Sequence, residues 1–348
     1  MIGWDVGGAN TKAARVENGT LLAVRGRPFE LQRAPDALAP LLRDLAAELD
    51  LLGCGAGLSG PPSTSATHAV TMTAELSQMF RTKREGVAFV LDALASAFPS
   101  ASMRVFSVDG RFLSPSEARA NPLAVAAANW AATAAFVARQ HPDALLIDIG
   151  TTTTDIIPIV GGVVVARGRT DPERLASGEL VYTGALRTPV EAIASHVPLG
   201  GDSAGVSAEG WALAGDVHVW RGELAPDDYT VPTPDGRPVT REFSGERLMR
   251  VVCADREMLD DAAVTAIADA LADAQVARIV DALRRVAARH PRLTTAVVTG
   301  LGAFIAERAA RAVGLRVIPL ADELGGDGAR FAPATAVALL LDQAHERR

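Results

Sequence analysis

Alternating and continuous apolar positions dominate the opening of the chain and predict three short strands, IGWDVGG, TKAARVE and TLLAVRG. Asn18-Gly19, between the second and third, is a two-residue hairpin signal. Helical spacing follows at Leu38, Leu41, Leu42, Leu45 and Leu49. A strand is predicted at 68–73. Val87, Val90, Leu91, Leu94 and Phe98 mark another helix, and MRVFSV a further strand. The alanine-rich run 121–138, carrying Asn129 and Trp130, reads as one buried core helix rather than a membrane span.

The pattern then repeats. LLIDIGTTTTDIIPIVGGVVVARG matches the first meander at a shift of 143 positions, so Asp5 falls on Asp148, Gly7 on Gly150, Thr11 on Thr154 and Gly19 on Gly162. Gly161-Gly162 supplies the second hairpin turn. Ile267, Leu271, Ile279, Leu283 and Val286 mark a long helix, TTAVVTG a strand, 304–313 a helix and LRVIPL a strand. The last helix, with Pro333 in its first turn and Val337, Leu339, Leu340 and Leu341 beyond, is expected to pack back toward the first domain. Three meandering strands followed by alternating helices and strands indicate, in each half, a mixed sheet with helices on its faces. The fold class is α/β, with two halves enclosing a cleft. The expected bounds are 1–140, 141–328 with an insertion around 195–260, and a C-terminal helix at 329–348.

Composition narrows the partners. A length of 348 residues suits two domains, and 49% hydrophobic with 22% charged residues suits a soluble globule. The net charge of −7, with no basic run, argues against nucleic acid. MIGWDVGG lacks the basic start and apolar stretch of a secretory signal, so a cytoplasmic protein is expected, not a membrane-bound one. Cys54 and Cys253 form no CxxC and read as small buried hydrophobes in a reducing compartment. Arginine is abundant, yet the only lysines are Lys12 and Lys83, which suggests that those two places need a compact, mobile ammonium.

Both meanders end their first strand in Asp-x-Gly. Glycine lets the backbone approach a ligand closely, and successive amides in such a turn can form an anion-binding concavity. Gly7, Gly8, Asn10 and Thr11 in the first loop, and Gly150, Thr151, Thr152 and Thr153 in the second, are candidate phosphate-binding residues. Asp5 and Asp148 beside phosphate imply an intervening divalent cation, and Mg²⁺ takes one or two carboxylates plus phosphate oxygens and waters. Lys12 aligns with Asp155 across the repeat. Facing hairpins would set them on opposite walls, Lys12 to pair with phosphate and Asp155 to accept a proton or orient the metal. The plainer alternative is that they pair with each other or with solvent. Asp5, Lys12, Asp148 and Asp155 form the candidate catalytic set, with Asp5 and Asp148 as metal ligands.

Gly300 and Gly302, in VVTGLGAF before a helix, can bring amides to a phosphate or nucleotide, or can simply permit tight strand–helix packing. There is no Walker loop and no dinucleotide fingerprint. Histidine spacing offers no zinc motif, and no GxSxG elbow is present.

Taken together, these pieces resemble the five-part pattern of the actin/sugar-kinase/Hsp70 superfold, with phosphate loops at 2–16 and 145–160, an adenosine motif at 297–314 and connecting helices at 122–138 and 333–342. The resemblance implies two ribonuclease-H-like domains around a central cleft. VTMTAELSQMFRTKREGV (70–87), NPLAVAAANWAATA (121–134), SGELVYTGALRTPVEAI (177–193), AEGWALAGDVHVWRGEL (208–224) and TPDGR (233–237) are more narrowly similar to one bacterial and archaeal group. These are the tetrahydromethanopterin-linked one-carbon transfer pathway proteins, hydantoinase/oxoprolinase relatives. TPDGR stands where a TADGR-like stretch is expected, and His218 where tyrosine is usual. Archaeal relatives include the enzyme that joins an aminomethylfuran-methyl diphosphate to γ-glutamyltyramine during methanofuran assembly. The resemblance thus implies a transferase in which a phenol oxygen displaces diphosphate, with Mg²⁺ and without need of ATP.

Within these motifs Thr73, Glu75, Lys83, Asn129, Glu209 and Asp216 are candidate substrate-binding residues. Polar Thr, Glu and Lys at a strand end suit a binding wall, the plainer alternative being a helix cap with a surface ion pair. Glu209 and Asp216, seven apart, are expected on one helical face, either ligand-binding or simply solvated. Three other functions fit the superfold: an ATP-dependent small-molecule kinase, ATP-driven amide-ring opening of the oxoprolinase type, and a nucleotide-dependent assembly switch. The preferred one takes a phosphorylated donor and a phenolic or amine acceptor, and leaves room for a homodimer.

Overall fold

The computed structural model describes residues 1–55 and 64–346. Strands β1 (Ile2–Val6), β2 (Asn10–Glu17) and β3 (Thr20–Pro28) form the first meander. Asn18 and Gly19, both at positive φ, make its second turn. Next come α1 (Leu38–Gly55), β4 (His68–Met72), α2 (Lys83–Ala97), β5 (Met103–Phe106) and β6 (Phe112–Leu113). The sheet runs β3-β2-β1-β4-β5-β6, with β1 antiparallel to β2 and parallel to β4. The periodic leucines of α1 and the Val87–Leu94 stripe of α2 share one core with Ile2, Trp4, Val6, Val70 and Met72. Burying each such side chain stabilises by roughly 1.5–3 kcal/mol. That packing fixes the strands whose C-terminal ends carry the polar residues.

The run expected as one helix over 121–138 is two. After α3 (Pro115–Ala120), α4 (Pro122–Val125) stops where Ala126 bridges Met72 in parallel and Ala127 turns left-handed at φ 49°. Such a conformation costs an L-residue roughly 1–2 kcal/mol, so the break is imposed by the bridge to the end of β4 rather than by local preference. Helix α5 (Asn129–Gln140) then starts afresh.

The second meander comprises β7 (Ala144–Ile149) and β8 (Thr154–Val160), but its third strand comes in two pieces. β9 (Val163–Val164) pairs with the far end of β8. The chain then leaves through α6 (Asp171–Ser177) and returns as β10 (Leu180–Val181) opposite Asp155 and Thr154. A separate hairpin, β11 (His196–Leu199) and β12 (Asp202–Gly205), precedes α7 (Ala214–Trp220), α8 (Arg241–Arg250) and α9 (Asp261–Arg289). The last elements are β13 (Thr295–Thr299), α10 (Ala303–Ala312), β14 (Arg316–Pro319), α11 (Ala321–Arg330) and α12 (Ala332–Glu346). The second sheet runs β10-β8-β7-β13-β14, with β9 also on β8.

The chain divides into two compact units. One comprises Met1–Leu146, Ile157–Glu173 and Pro319–Arg348, the other Ile147–Ile156 and Arg174–Ile318. In the first, α12 packs on β1, β2, β4 and α5. In the second, α9 buries Val264, Ile267, Ala268 and Leu271 against Leu248 and Met249 of α8 and Val217 and Trp220 of α7. Among the described residues no helix is long and apolar enough to cross a membrane. Cys253 is not the buried hydrophobe expected: it is exposed at φ 57°, in a turn after α8 that carries its side chain away from the core. The Cys54 side chain lies outside the described residues.

Candidate functional site

In the first unit the sheet register sets the chemistry. Asp5 on β1 lies opposite Lys12 on β2 and beside Thr71 on β4, so the three side chains form a row on one face. Lys12 Nζ is 3.3 Å from Asp5 Oδ2, while Oδ1 of the buried Asp5 has no hydrogen-bond partner. The Thr71 hydroxyl is likewise buried and unpartnered. Gly7 closes the β1–β2 turn by donating its amide to the Asn10 carbonyl at 3.0 Å, and Gly8 and Asn10 there are half-buried. Thr11 sits fully buried at the start of β2, opposite Val6 and so on the other face from Asp5.

Beyond β4 the chain makes a single 3₁₀ turn, Ala74–Leu76, tied to β1 by the Thr73 amide donating to the Val6 carbonyl. Glu75 in this turn is 1% exposed, and neither of its carboxylate oxygens has a hydrogen-bond partner. Gly86, in the first turn of α2, is pressed against it; a Cβ there would stand 2.5 Å from Glu75 Cα. Burial pushes the Glu75 carboxyl up to about 7, against the pull of the Lys83 ammonium. Lys83 Nζ is 3.7 Å from Glu75 Oε1 and donates to Asp171 Oδ2 at 2.7 Å. The half-buried Asn129 opens α5, three residues after the bridge to the end of β4.

In the second unit Asp148 is buried at the end of β7. The turn that follows is closed by the Gly150 amide on the Thr153 carbonyl at 3.0 Å, leaving Thr151, Thr152 and Thr153 half-buried. An arch at 183–188 backs this turn. Ala185 donates to Gly150 O at 2.9 Å, and Leu186 and Arg187 donate to Thr151 O at 3.1 and 2.9 Å. Gly300, at φ 88°, lies so close that a Cβ would overlap the Ile149 carbonyl oxygen and stand 2.5 Å from Asp148 Oδ1. The Gly302 amide donates to the same carbonyl at 2.8 Å. The two glycines therefore hold the β13–α10 loop onto the Asp148 strand, and no side chain larger than hydrogen fits at Gly300.

Asp155 and Lys12 each have a partner within their own unit. The buried Arg174 guanidinium of α6 reaches Asp155 Oδ1 at 2.5 Å and also donates to the Glu179 carbonyl. Glu209 and Asp216 do not share a helical face. Glu209 is exposed in a bend before α7, whereas Asp216 is fully buried within it. Asp216 accepts from the Leu213 amide, Ser244 and Arg247, the last at 2.8 Å, and Arg247 also reaches Asp235 at 3.0 Å. This ion pair therefore ties the α7 segment to the TPDGR turn.

Residues 66–342 match the hydantoinase/oxoprolinase family. A Methanocaldococcus jannaschii protein named (4-{4-[2-(gamma-L-glutamylamino)ethyl]phenoxymethyl}furan-2-yl)methanamine synthase is 36% identical over 344 residues, 99% of this chain and 98% of the relative. The chain belongs to the hydantoinase/oxoprolinase family. Among solved structures, nucleotide-free acetone carboxylase matches with a TM-score of 0.55 at 12% identity, over 96% of this chain and 69% of that one. The ethanolamine utilization protein EutJ from Carboxydothermus hydrogenoformans matches with a TM-score of 0.50 at 14% identity, over 97% of this chain and 89% of that one. At such identities the likeness concerns the fold, which is that of the actin/sugar-kinase/Hsp70 superfold.

In this hydantoinase/oxoprolinase family member, three polar residues at the site escape motif reading. Asp171 and Arg174 lie in DPER, legible as a helix start from Asp and Pro but silent about the partners Lys83 and Asp155. Gln275 sits on the buried stripe of α9, four residues from both Leu271 and Ile279, and a polar side chain on an apolar stripe is the signal that could have found it.

Proposed function

We propose that this chain is a cofactor-biosynthesis transferase, acting in the cytoplasm. It joins a furanylmethyl diphosphate to a phenol of the tyramine or tyrosine type, releasing diphosphate, in assembly of a methanofuran-type cofactor. The observation that carries this is the full-length likeness to the Methanocaldococcus jannaschii synthase, whose name spells out a phenoxymethyl link on a furan ring, an aryl ether.

The chemistry suits the residues present. A furanylmethyl carbon ionises readily because the ring stabilises the developing cation. What the protein must supply is stabilisation of the departing diphosphate, through preorganised donors where negative charge gathers. The turn amides and the Thr151–Thr153 hydroxyls of the second unit are donors of that kind, and in the first unit Lys12 is a cation. Asp5, with an unpartnered buried oxygen in the first unit, and Asp148, buried in the second, are each a carboxylate that would suit Mg²⁺, whose charge would offset that of the leaving group. Among the described residues no three His, Cys, Asp or Glu side chains cluster as a metal site, so the remaining ligands would be phosphate oxygens and water.

Purified protein given both substrates and Mg²⁺ without nucleotide is expected to yield the aryl ether and one diphosphate per ether. No product, or ether formation strictly dependent on ATP, would contradict the proposal.

A further inference from the structure

We propose that Glu75 is the base that takes the proton from the acceptor phenol, and that Lys83 and Asp171 hold it for that task. This rests on the ether-forming function above.

A buried carboxylate with both oxygens unsatisfied is rare in folded proteins and calls for an explanation, one being a donor that arrives with a ligand. Glu75 meets that description, and its place is fixed rather than incidental. The 3₁₀ turn is tied to the end of β1, and Gly86 packs against the Glu75 backbone. Lys83 Nζ lies at 3.7 Å, close enough to favour the carboxylate yet too far to occupy an oxygen, because Asp171 holds it at 2.7 Å. The other charges on this turn of α2 point elsewhere: Arg84 donates to the Arg119 carbonyl, and Glu85 accepts from the Arg81 amide. The same segment of chain carries two uncovered apolar side chains, Leu76 at 55% and Met79 at 39% exposure. A phenol has the matching shape, one hydroxyl on a flat apolar ring. Asp5 and Asp155 have closer ion-pair partners, at 3.3 and 2.5 Å. With burial setting the Glu75 carboxyl at about 7, it is poised to accept a proton near neutral pH.

The step balances. The phenol O–H bond breaks and its proton goes to a Glu75 oxygen. A phenol oxygen electron pair forms the bond to the furanylmethyl carbon, and the carbon–oxygen bond to diphosphate breaks with its pair leaving on diphosphate.

The test is single-turnover ether formation followed across about pH 5 to 9 for wild type, Glu75→Gln and Lys83→Met. Wild type is expected to gain rate through a limb near 7. Glu75→Gln should lose roughly 10²–10³ in rate together with that limb, while retaining a cooperative melt and stabilisation by inorganic diphosphate. Lys83→Met should move the limb to higher pH, because the carboxylate loses its cation. A Glu75→Gln enzyme within about threefold of wild type and with the same limb overturns this inference but leaves the transferase standing. Should Glu75→Gln fail to fold, an unmoved limb in Lys83→Met overturns it instead. A wild type that forms no ether overturns both.

Discussion

His218 Nε2 lies 2.9 Å from Gln275 Oε1, and that contact orders a buried polar chain. Gln275 Nε2 faces the Gly184 carbonyl and Thr183 Oγ1, both at 2.9 Å. A carbonyl can only accept, so the amide nitrogen must point there and Oε1 must accept from His218. The other ring nitrogen meets Glu223 at 2.9 Å. Burial favours the neutral acid, but hydrogen bonds from His218 and Arg221 hold the Glu223 carboxyl down at about 2. The chain thus ends at Gly184, whose backbone leans on Thr151 and Thr152.

Gln275→Leu should strip three buried groups of a partner at once. It is expected to cost about 2–4 kcal/mol in urea unfolding, whereas Arg278→Ala, on the exposed side of the same helix, should stay within about 0.5 kcal/mol. Equal effects of the two would show that the chain does not support the loop.

Glu75 gives stability an unusual pH dependence. Its folded value, about 7, lies above the unfolded 4.5, so the folded state binds the proton more tightly. The contribution is present below the unfolded value and is lost as pH rises through about 7. Glu75→Gln, which removes this titration, should therefore raise the melting temperature relative to wild type at pH 8 and not at pH 5. The relative gain is on the order of 1–3 kcal/mol. A constant difference between the variants from pH 5 to pH 8 would contradict the assignment.

Gly300→Ala should be far costlier than Gly314→Ala, although both positions have positive φ. At Gly314 a Cβ meets nothing within 4 Å, so only the backbone term remains, about 1 kcal/mol. At Gly300 the Cβ collides with Ile149 and Asp148, adding roughly 1–3 kcal/mol or more. Denaturant melts of the two variants decide this, and similar losses would mean the β13–α10 loop tolerates displacement.

Asp5→Asn and Asp148→Asn should abolish ether formation while leaving the fold intact, as read by circular dichroism and melting temperature. Activity near wild type in both would sink the proposed role of these carboxylates with the diphosphate.

The meanders were legible because a period of two and Asn-Gly or Gly-Gly turns act locally, and the repeat placed Asp5 and Asp148 at equivalent strand ends. What escaped depends on partners distant in sequence. Lys83 finds Asp171 across 88 residues and Arg247 finds Asp216 across 31, pairings to which no periodicity speaks. The Asn121-to-Ala138 run misled because its composition favours a helix throughout, while the bridge from Ala126 to Met72 is a tertiary demand. Glu209 and Asp216 misled in the same way, since a spacing of seven has meaning only when both residues are helical.

In the proposed reaction a phenol oxygen of the acceptor displaces diphosphate. It is tested most directly with an acceptor carrying ¹⁸O in its phenol, incubated with the furanylmethyl diphosphate, Mg²⁺ and no nucleotide. The label is expected to be retained in the ether and absent from the released diphosphate. Label in the diphosphate, or no ether until ATP is supplied, would contradict it.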